Sequence, residues 1–220
     1  MITSTLMKLD NTLKRKPEPS NDNYSMFNTG GVEIEVGEYL YGLVRMIKPE
    51  KVLETGTHKG ISAMYIASAL KHNGKGKLTT IEFDEKLAEE AFNRLRRTNV
   101  LTQAEIIKMS SLEYKTEDMF DFVLLDTEPD IRFKEFKQFW NNVKPGGIII
   151  IHDLHSHLGQ TKTKAHGMNH WPFGDFKKFF GDKILDHEVQ VTSFFTPRGI
   201  TMFQKAHGDF SVTKHLRGEL

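Results

Sequence analysis

At 220 residues, with 38% hydrophobic and 27% charged side chains, the chain has the length and composition of a single globular domain. Its 30 Lys and Arg nearly balance 29 Asp and Glu, so no nucleic-acid partner and no membrane surface is expected. The absence of cysteine excludes disulfides, a thiol nucleophile and a zinc–thiolate centre.

Residues Met1–Tyr24 are polar and read as a loose arm, or as one laid over a partner or an active site. They lack the apolar core of a signal peptide, and no run is long and apolar enough to span a bilayer, so a cytoplasmic protein is expected. The domain itself is read as 25–206, with a polar tail over 207–220. After a loop at Asn28–Gly31, the spacing of Val36, Leu40, Leu43, Val44 and Ile47 predicts a helix. Lys48-Pro49 ends it.

The stretch V-L-E-T-G-T-H-K-G-I-S, Val52–Ser62, follows. A strand over Lys51–Thr55 breaks at Gly56, and a helix opens at Gly60. Such a turn offers backbone N–H groups and the positive end of a helix dipole to a ligand. Glu54, at the strand's end, suits a ligand with a positive centre better than bare phosphates.

Strands are then predicted at Lys77–Glu82, Ala104–Lys108 and Phe120–Asp126, the last apolar enough to be buried on both faces. Asp84 can cap the helix that carries Leu87, Ala91 and Leu95. Phe133, Phe136, Phe139 and Trp140 form a core stripe on another helix. Lys144–Gly147 reads as a turn before a central strand, Ile148–Ile151. Two last β-prone runs, Glu188–Phe195 and Gly199–Lys205, are joined by T-P-R-G, a hairpin signal. The expected fold is α/β: a Rossmann-like, doubly wound sheet, mostly parallel and seven-stranded, with a C-terminal antiparallel hairpin. The exposed hairpin edge and the arm would suit a homodimer. Leu154–Phe173, with four His and no clean period, reads as a lid over a substrate.

Four acids fall at the C-terminal ends of predicted strands: Glu54, Glu82, Asp126 and Asp153. Those ends share one rim of a parallel sheet. Glu82 stands where an acid accepts ribose hydroxyls. Asp126 and Asp153 end adjacent strands and together invite a hard divalent cation such as Mg2+, with Glu128 near enough in sequence to help. The alternative is that Asp126 touches a cofactor and Asp153 only caps the next segment. His155 could serve as ligand or general base.

V-L-E-T-G-T-H-K-G-I-S, T-T-I-E-F-D, D-F-V-L-L-D and V-K-P-G-G-I-I-I-I-H-D, in that order and ending in a hairpin, resemble the class I S-adenosylmethionine-dependent methyltransferases. The likeness runs from about Gly30 to Lys205. It is strongest to the small O-methyltransferases related to the catechol and caffeoyl-CoA enzymes, and to their relatives that methylate sugars and antibiotics. The larger class often has E-x-G-x-G-x-G. Here His58 replaces the middle glycine, as the catechol branch also departs. Glu35–Leu40, E-V-G-E-Y-L, is similar to that branch's E-G-Q-F-L segment.

The resemblance implies that Glu54, Gly56, Thr57, His58, Gly60 and Ser62 surround the methionine part of S-adenosylmethionine. It implies that Glu82 holds the ribose, that Phe83 lies beside the adenine, and that Ser110 or Ser111 lies at its edge. Asp126 would sit between cofactor and metal, and Asp153 would be the second metal ligand. Three departures stand out. Leu154 replaces the branch's Asn after the second metal Asp, Pro129 replaces its Lys base, and D-T-E-P-D-I lacks the His of the sugar-methylating D-G-D-H-S-Y. A base could then come from the lid, with His155 first and His157 or His170 behind it.

The reading is therefore O-methylation of a small hydroxylated acceptor, with Asp153 and His155 catalytic and with a hard cation as an optional aid that would bind the substrate oxygens and lower the hydroxyl's pKa. The alternatives are a metal-free N-methyltransferase and a non-catalytic S-adenosylmethionine-binding protein. A nicotinamide oxidoreductase is disfavoured because G-x-G-x-x-G is absent.

Overall fold

The computed structural model describes residues 10–19, 21–154, 178–179, 188–194 and 196–206. Thirteen α-helices and β-strands are seen among them: β1 (Arg15–Glu18), β2 (Asn21–Phe27), α1 (Ile34–Ile47), β3 (Lys51–Thr55), α2 (Ile61–Asn73), β4 (Lys77–Glu82), α3 (Glu85–Arg97), β5 (Ala104–Lys108), β6 (Phe120–Leu125), α4 (Pro129–Phe139), β7 (Val143–His152), β8 (Val189–Phe194) and β9 (Ile200–Lys205).

The main sheet has seven strands in the order β5-β4-β3-β6-β7-β9-β8. The first five pair in parallel, and β9 lies antiparallel to both β7 and β8. The chain moves outward from β3 to β5 and then returns to β6 beside β3. That reversal opens a crevice at the C-terminal ends of β3 and β6, where open α/β sheets bind ligands. Period-two alternation puts Val52, Leu124 and Ile150 into one core with α1 and α2. Leu53, Leu125 and Ile151 enter the other core, against Phe136 and Phe139 of α4. Burial on both faces explains the apolar runs Phe122–Leu125 of β6 and Ile148–Ile151 of β7.

Two local findings differ from the sequence reading. Lys144–Gly147 is not a turn before the strand but lies inside β7. The register jumps from Phe120↔Val143 to Phe122↔Ile148, so the extra residues are absorbed as an irregularity, with Gly146 at φ 80°. The polar arm also contains an antiparallel ribbon, β1 on β2. Ahead of it the buried Asp10 carboxylate pairs with Arg94, at 2.9 Å, and Arg97, at 3.1 Å.

Both termini of α3 behave as local rules require. Asp84 accepts from the N–H groups of Lys86 and Leu87, and Arg94, Arg96 and Arg97 fill the last turn. The expected lid lies outside the described residues, apart from Leu154.

Candidate active site

The crevice at the strand ends is a cavity of about 360 Å³. Its wall includes Gly56, Thr57, His58, Ser62, Glu82, Phe83, Ser110, Ser111, Asp126 and Asp153, ten of the residues singled out in the sequence. Glu54 and Gly60 are not on that wall. His155, His157 and His170 lie outside the described residues.

The β3–α2 turn is built differently from an anion cradle. The N–H groups of Gly56 and Thr57 both donate to Ile81 O, at 3.0 and 3.2 Å, and that of Gly60 donates to Thr57 O. His58 N–H donates to Glu82 Oε2 at 2.7 Å. The amides expected to face a ligand are thus spent inside the fold, tying β3 to β4. Gly56 is irreplaceable on steric grounds. It has φ 82°, and a Cβ there would lie 2.3 Å from Asp126 O. His58 holds the left-handed conformation at φ 48° without being glycine. Such strain persists only where its surroundings enforce it, and here Glu82 grips its amide.

Glu82 also accepts from Asp84 N–H at 3.0 Å through Oε1. Each of its oxygens keeps a lone pair for a further donor such as a hydroxyl. Beside it Phe83 is 74% exposed on the cavity wall, a large apolar face with no cover of its own. Glu54 lies beneath, fully buried, and accepts from Thr80 Oγ1 at 2.5 Å. Burial pushes its carboxyl up to about 8, and the nearby Asp126 and Glu82 add to the shift, so it is protonated at neutral pH.

Across the cavity, Asp126 follows β6 and Asp153 follows β7. Their carboxylates and the His152 ring each offer a ligand atom within 4.8 Å of the others, so the two acids are brought together as the metal expectation requires. One oxygen of each acid and both ring nitrogens are nevertheless already engaged, while Asp153 Oδ1 has no hydrogen-bond partner among the described residues. Arg132, on the first turn of α4, reaches Asp126 Oδ1 at 3.2 Å and Asp153 Oδ2 at 2.9 Å through one Nη2. His152 Nδ1 lies 3.0 Å from Asp126 Oδ1, and its Nε2 lies 2.8 Å from Glu33 Oε2. Arg198, from the β8–β9 loop, donates to Glu33 Oε2 at 3.0 Å and to Gly31 O at 2.7 Å.

The electrostatics follow from this packing. Burial works against a charged His152, but Asp153, Asp126 and Glu33 outweigh it and raise the ring to about 10. Burial likewise opposes ionisation of Glu33, yet His152 and Arg198 bring it down to about 2. Asp153 is held well below the usual carboxylate range: its burial penalty is overcome by His152, Arg132 and Arg198. Asp153 also has φ 58°, pinned by its N–H to Gly199 O at 2.8 Å.

Glu33, Arg132 and Arg198 were not found from the sequence, and His152 was noticed only as half of an H-D pair. Arg132 interrupts an aromatic helix and Arg198 sits in a hairpin turn, two positions whose local pattern signals structure alone.

Comparison with known proteins gives this site its context. The methyltransferase domain family matches residues 53–154. A catechol O-methyltransferase of Niastella koreensis is 26% identical over 120 residues, 52% of this chain and 53% of its own length. One from Mycobacterium tuberculosis is 25% identical over 126 residues, 56% of each chain. The match spans about half the length of these curated relatives. Among solved structures, the O-methyltransferase TomG of Streptomyces achromogenes, in complex with S-adenosylmethionine, aligns at TM-score 0.62 with 23% identity, covering 80% of this chain and 82% of its own. The O-methyltransferase of Bacillus cereus, in complex with S-adenosylhomocysteine, aligns at 0.65 with 20% identity, covering 92% and 90%. The fold is that of these enzymes.

Proposed function

We propose that this chain, whose residues 53–154 match the methyltransferase domain family and whose fold is shared with solved O-methyltransferases, is an S-adenosylmethionine-dependent O-methyltransferase acting on a small hydroxylated molecule. The observation that carries the reading is one cavity with two unlike ends. Glu82 and the uncovered Phe83 line one end, and Asp153 and Arg198 line the other. The first pairing suits a ribose and a flat base. The second suits the polar end of an acceptor.

When bound, the cofactor would supply an electrophilic methyl group on a sulfonium. The residues present fit such a group. Glu82 has acceptor capacity left for two hydroxyls, and Phe83 offers a bare ring for stacking. Gly56, Thr57, His58 and Ser62 would border the methionine part, with Glu54 and Gly60 supporting them from behind. Ser110 and Ser111 would close the adenine edge. The acids around the turn favour a cationic ligand, and the spent amides disfavour a pyrophosphate, which argues against a nicotinamide dinucleotide.

For the acceptor, Asp153 would hold the hydroxyl by accepting its hydrogen. A carboxylate kept so far below its usual range is a weak base, so its task is orientation. His155 remains the proposed proton acceptor, with His157 and His170 behind it. Holding both reactants in line can contribute on the order of 7–11 kcal/mol. The donor set does not fit a divalent cation as it stands, since Arg132 occupies an oxygen of both Asp126 and Asp153.

Transfer of labelled methyl from S-adenosylmethionine to a panel of catechols, sugars and matched amines tests the proposal. O-methylated product is expected. Product confined to the amines would overturn the oxygen reading.

A further inference from the structure

We infer that two arginines of the chain itself, Arg132 and Arg198, take the place of a divalent cation at the paired carboxylates Asp126 and Asp153. The inference rests on the methyltransferase reading only for which ligand meets this charge.

Arg132 is 3% exposed. Its Nε donates to Thr127 O at 2.7 Å, its Nη1 donates to His152 O, and its Nη2 bridges Asp126 and Asp153. A guanidinium is a rigid planar fork, and here its prongs meet the backbone just after β6, the end of β7 and both carboxylates. It is bound as a structural cross-link between the two strand ends, not as a surface side chain that happens to lie near acids.

Divalent cations bind carboxylate oxygens at about 2.0–2.6 Å. An ion at that distance from Asp126 Oδ1 and Asp153 Oδ2 would crowd the Arg132 Nη2 that already bridges them. Arg198 adds a second charge, with Nε 3.6 Å from Asp153 Oδ1 and Nη2 on Glu33. Both nitrogens of His152 face carboxylate oxygens, so neither is left to a metal. Three carboxylates, Glu33, Asp126 and Asp153, thus meet two guanidinium groups and a doubly bonded imidazole. Their negative charge is already compensated, which removes the main attraction for a divalent ion. The departures at Pro129 and Leu154 stand beside this same group, where the resemblance implied a lysine and an asparagine.

The test is Mn2+ binding to the full chain, followed by water-proton relaxation, with S-adenosylhomocysteine titrated separately by calorimetry. Wild-type protein is expected to give no enhancement over free Mn2+ up to millimolar ion. Arg132→Met should expose the two carboxylates and gain at least tenfold in Mn2+ affinity. Should Arg132→Met not fold, Arg198→Met is read in its place. Saturable wild-type binding that Asp153→Asn abolishes would overturn the inference, as would a folded arginine variant that gains nothing. Failure of the methyltransferase reading would show instead as no binding of S-adenosylhomocysteine, whatever the Mn2+ result.

Discussion

Asp153 concentrates the site's demands in one residue: left-handed backbone, near-complete burial, and an ion pair with Arg132. Asp153→Asn keeps the shape and removes the charge. It is expected to lower turnover about a hundredfold while leaving S-adenosylhomocysteine affinity nearly unchanged. It should also cost on the order of 3 kcal/mol of stability, because Arg132 loses a buried partner. Steady-state kinetics and urea unfolding check the two halves, and a loss of cofactor affinity would contradict this division of roles. Glu54 makes a different prediction. Its carboxyl, raised to about 8, is protonated at pH 7 in the free protein. A cationic ligand nearby lowers that value, so cofactor binding should release protons. Calorimetry in buffers of different ionisation enthalpy measures the release, and Glu54→Gln should abolish it. Glu54, Glu82, Asp126 and Asp153 were legible in the sequence because each ends a strand whose pattern is clear. Glu33, Arg132 and Arg198 were not. They come from three distant stretches, and only the folded sheet brings them to His152 and Asp153.

Elements set these positions through close contacts that leave little freedom. Helix α1 begins just after Glu33 and packs on α2 through Gly37, where a Cβ would stand 2.4 Å from the Tyr65 ring. Gly37 N–H also donates to Glu33 O at 2.9 Å, so this contact lies one turn from the carboxylate on His152. Gly37→Ala should force the helices apart, costing about 1–3 kcal/mol, and shift Glu33 with them. Thermal unfolding together with activity measures this, and a variant as stable and active as wild type would contradict the account. The hairpin β8–β9 works similarly, since its loop supplies Arg198 and its Gly199 O fixes Asp153. Helices and central strands were readable from period and from glycine punctuation. The β1–β2 ribbon was not, because β1, R-K-P-E, has no apolar alternation and β2, N-D-N-Y-S-M-F, becomes apolar only in its second half. The residues K-P-G-G carry turn chemistry, yet they lie inside β7 because Val143 and Ile148 on either side of them both pair with β6.

At the scale of the whole molecule, the parallel order and its reversal beside β3 make one rim out of four strand ends, which the alternation of elements already implied. That rim also governs pH dependence. Glu33, lowered to about 2 from an ordinary 4.5, contributes stability above pH 4.5 that is lost as pH falls through 2. His152, raised from 6.5 to about 10, contributes stability that is complete below 6.5 and lost as pH rises through 10. Glu54, raised from 4.5 to about 8, acts in the same direction as His152. Stability by urea unfolding should therefore peak near pH 5 and decline on both sides, whereas a maximum above pH 8 would contradict the charge arrangement. Among the described residues no helix is long and apolar enough to cross a membrane. The homodimer read from the exposed edge is a proposal that sedimentation can test.

The most direct test of the central claim is calorimetric titration with S-adenosylhomocysteine, on wild type and on Glu82→Ala, each with and without EDTA. The account predicts micromolar binding to wild type that ignores EDTA and falls at least tenfold in Glu82→Ala. No binding to wild type under either condition would contradict it and return the Gly56–Gly60 turn to a purely structural role.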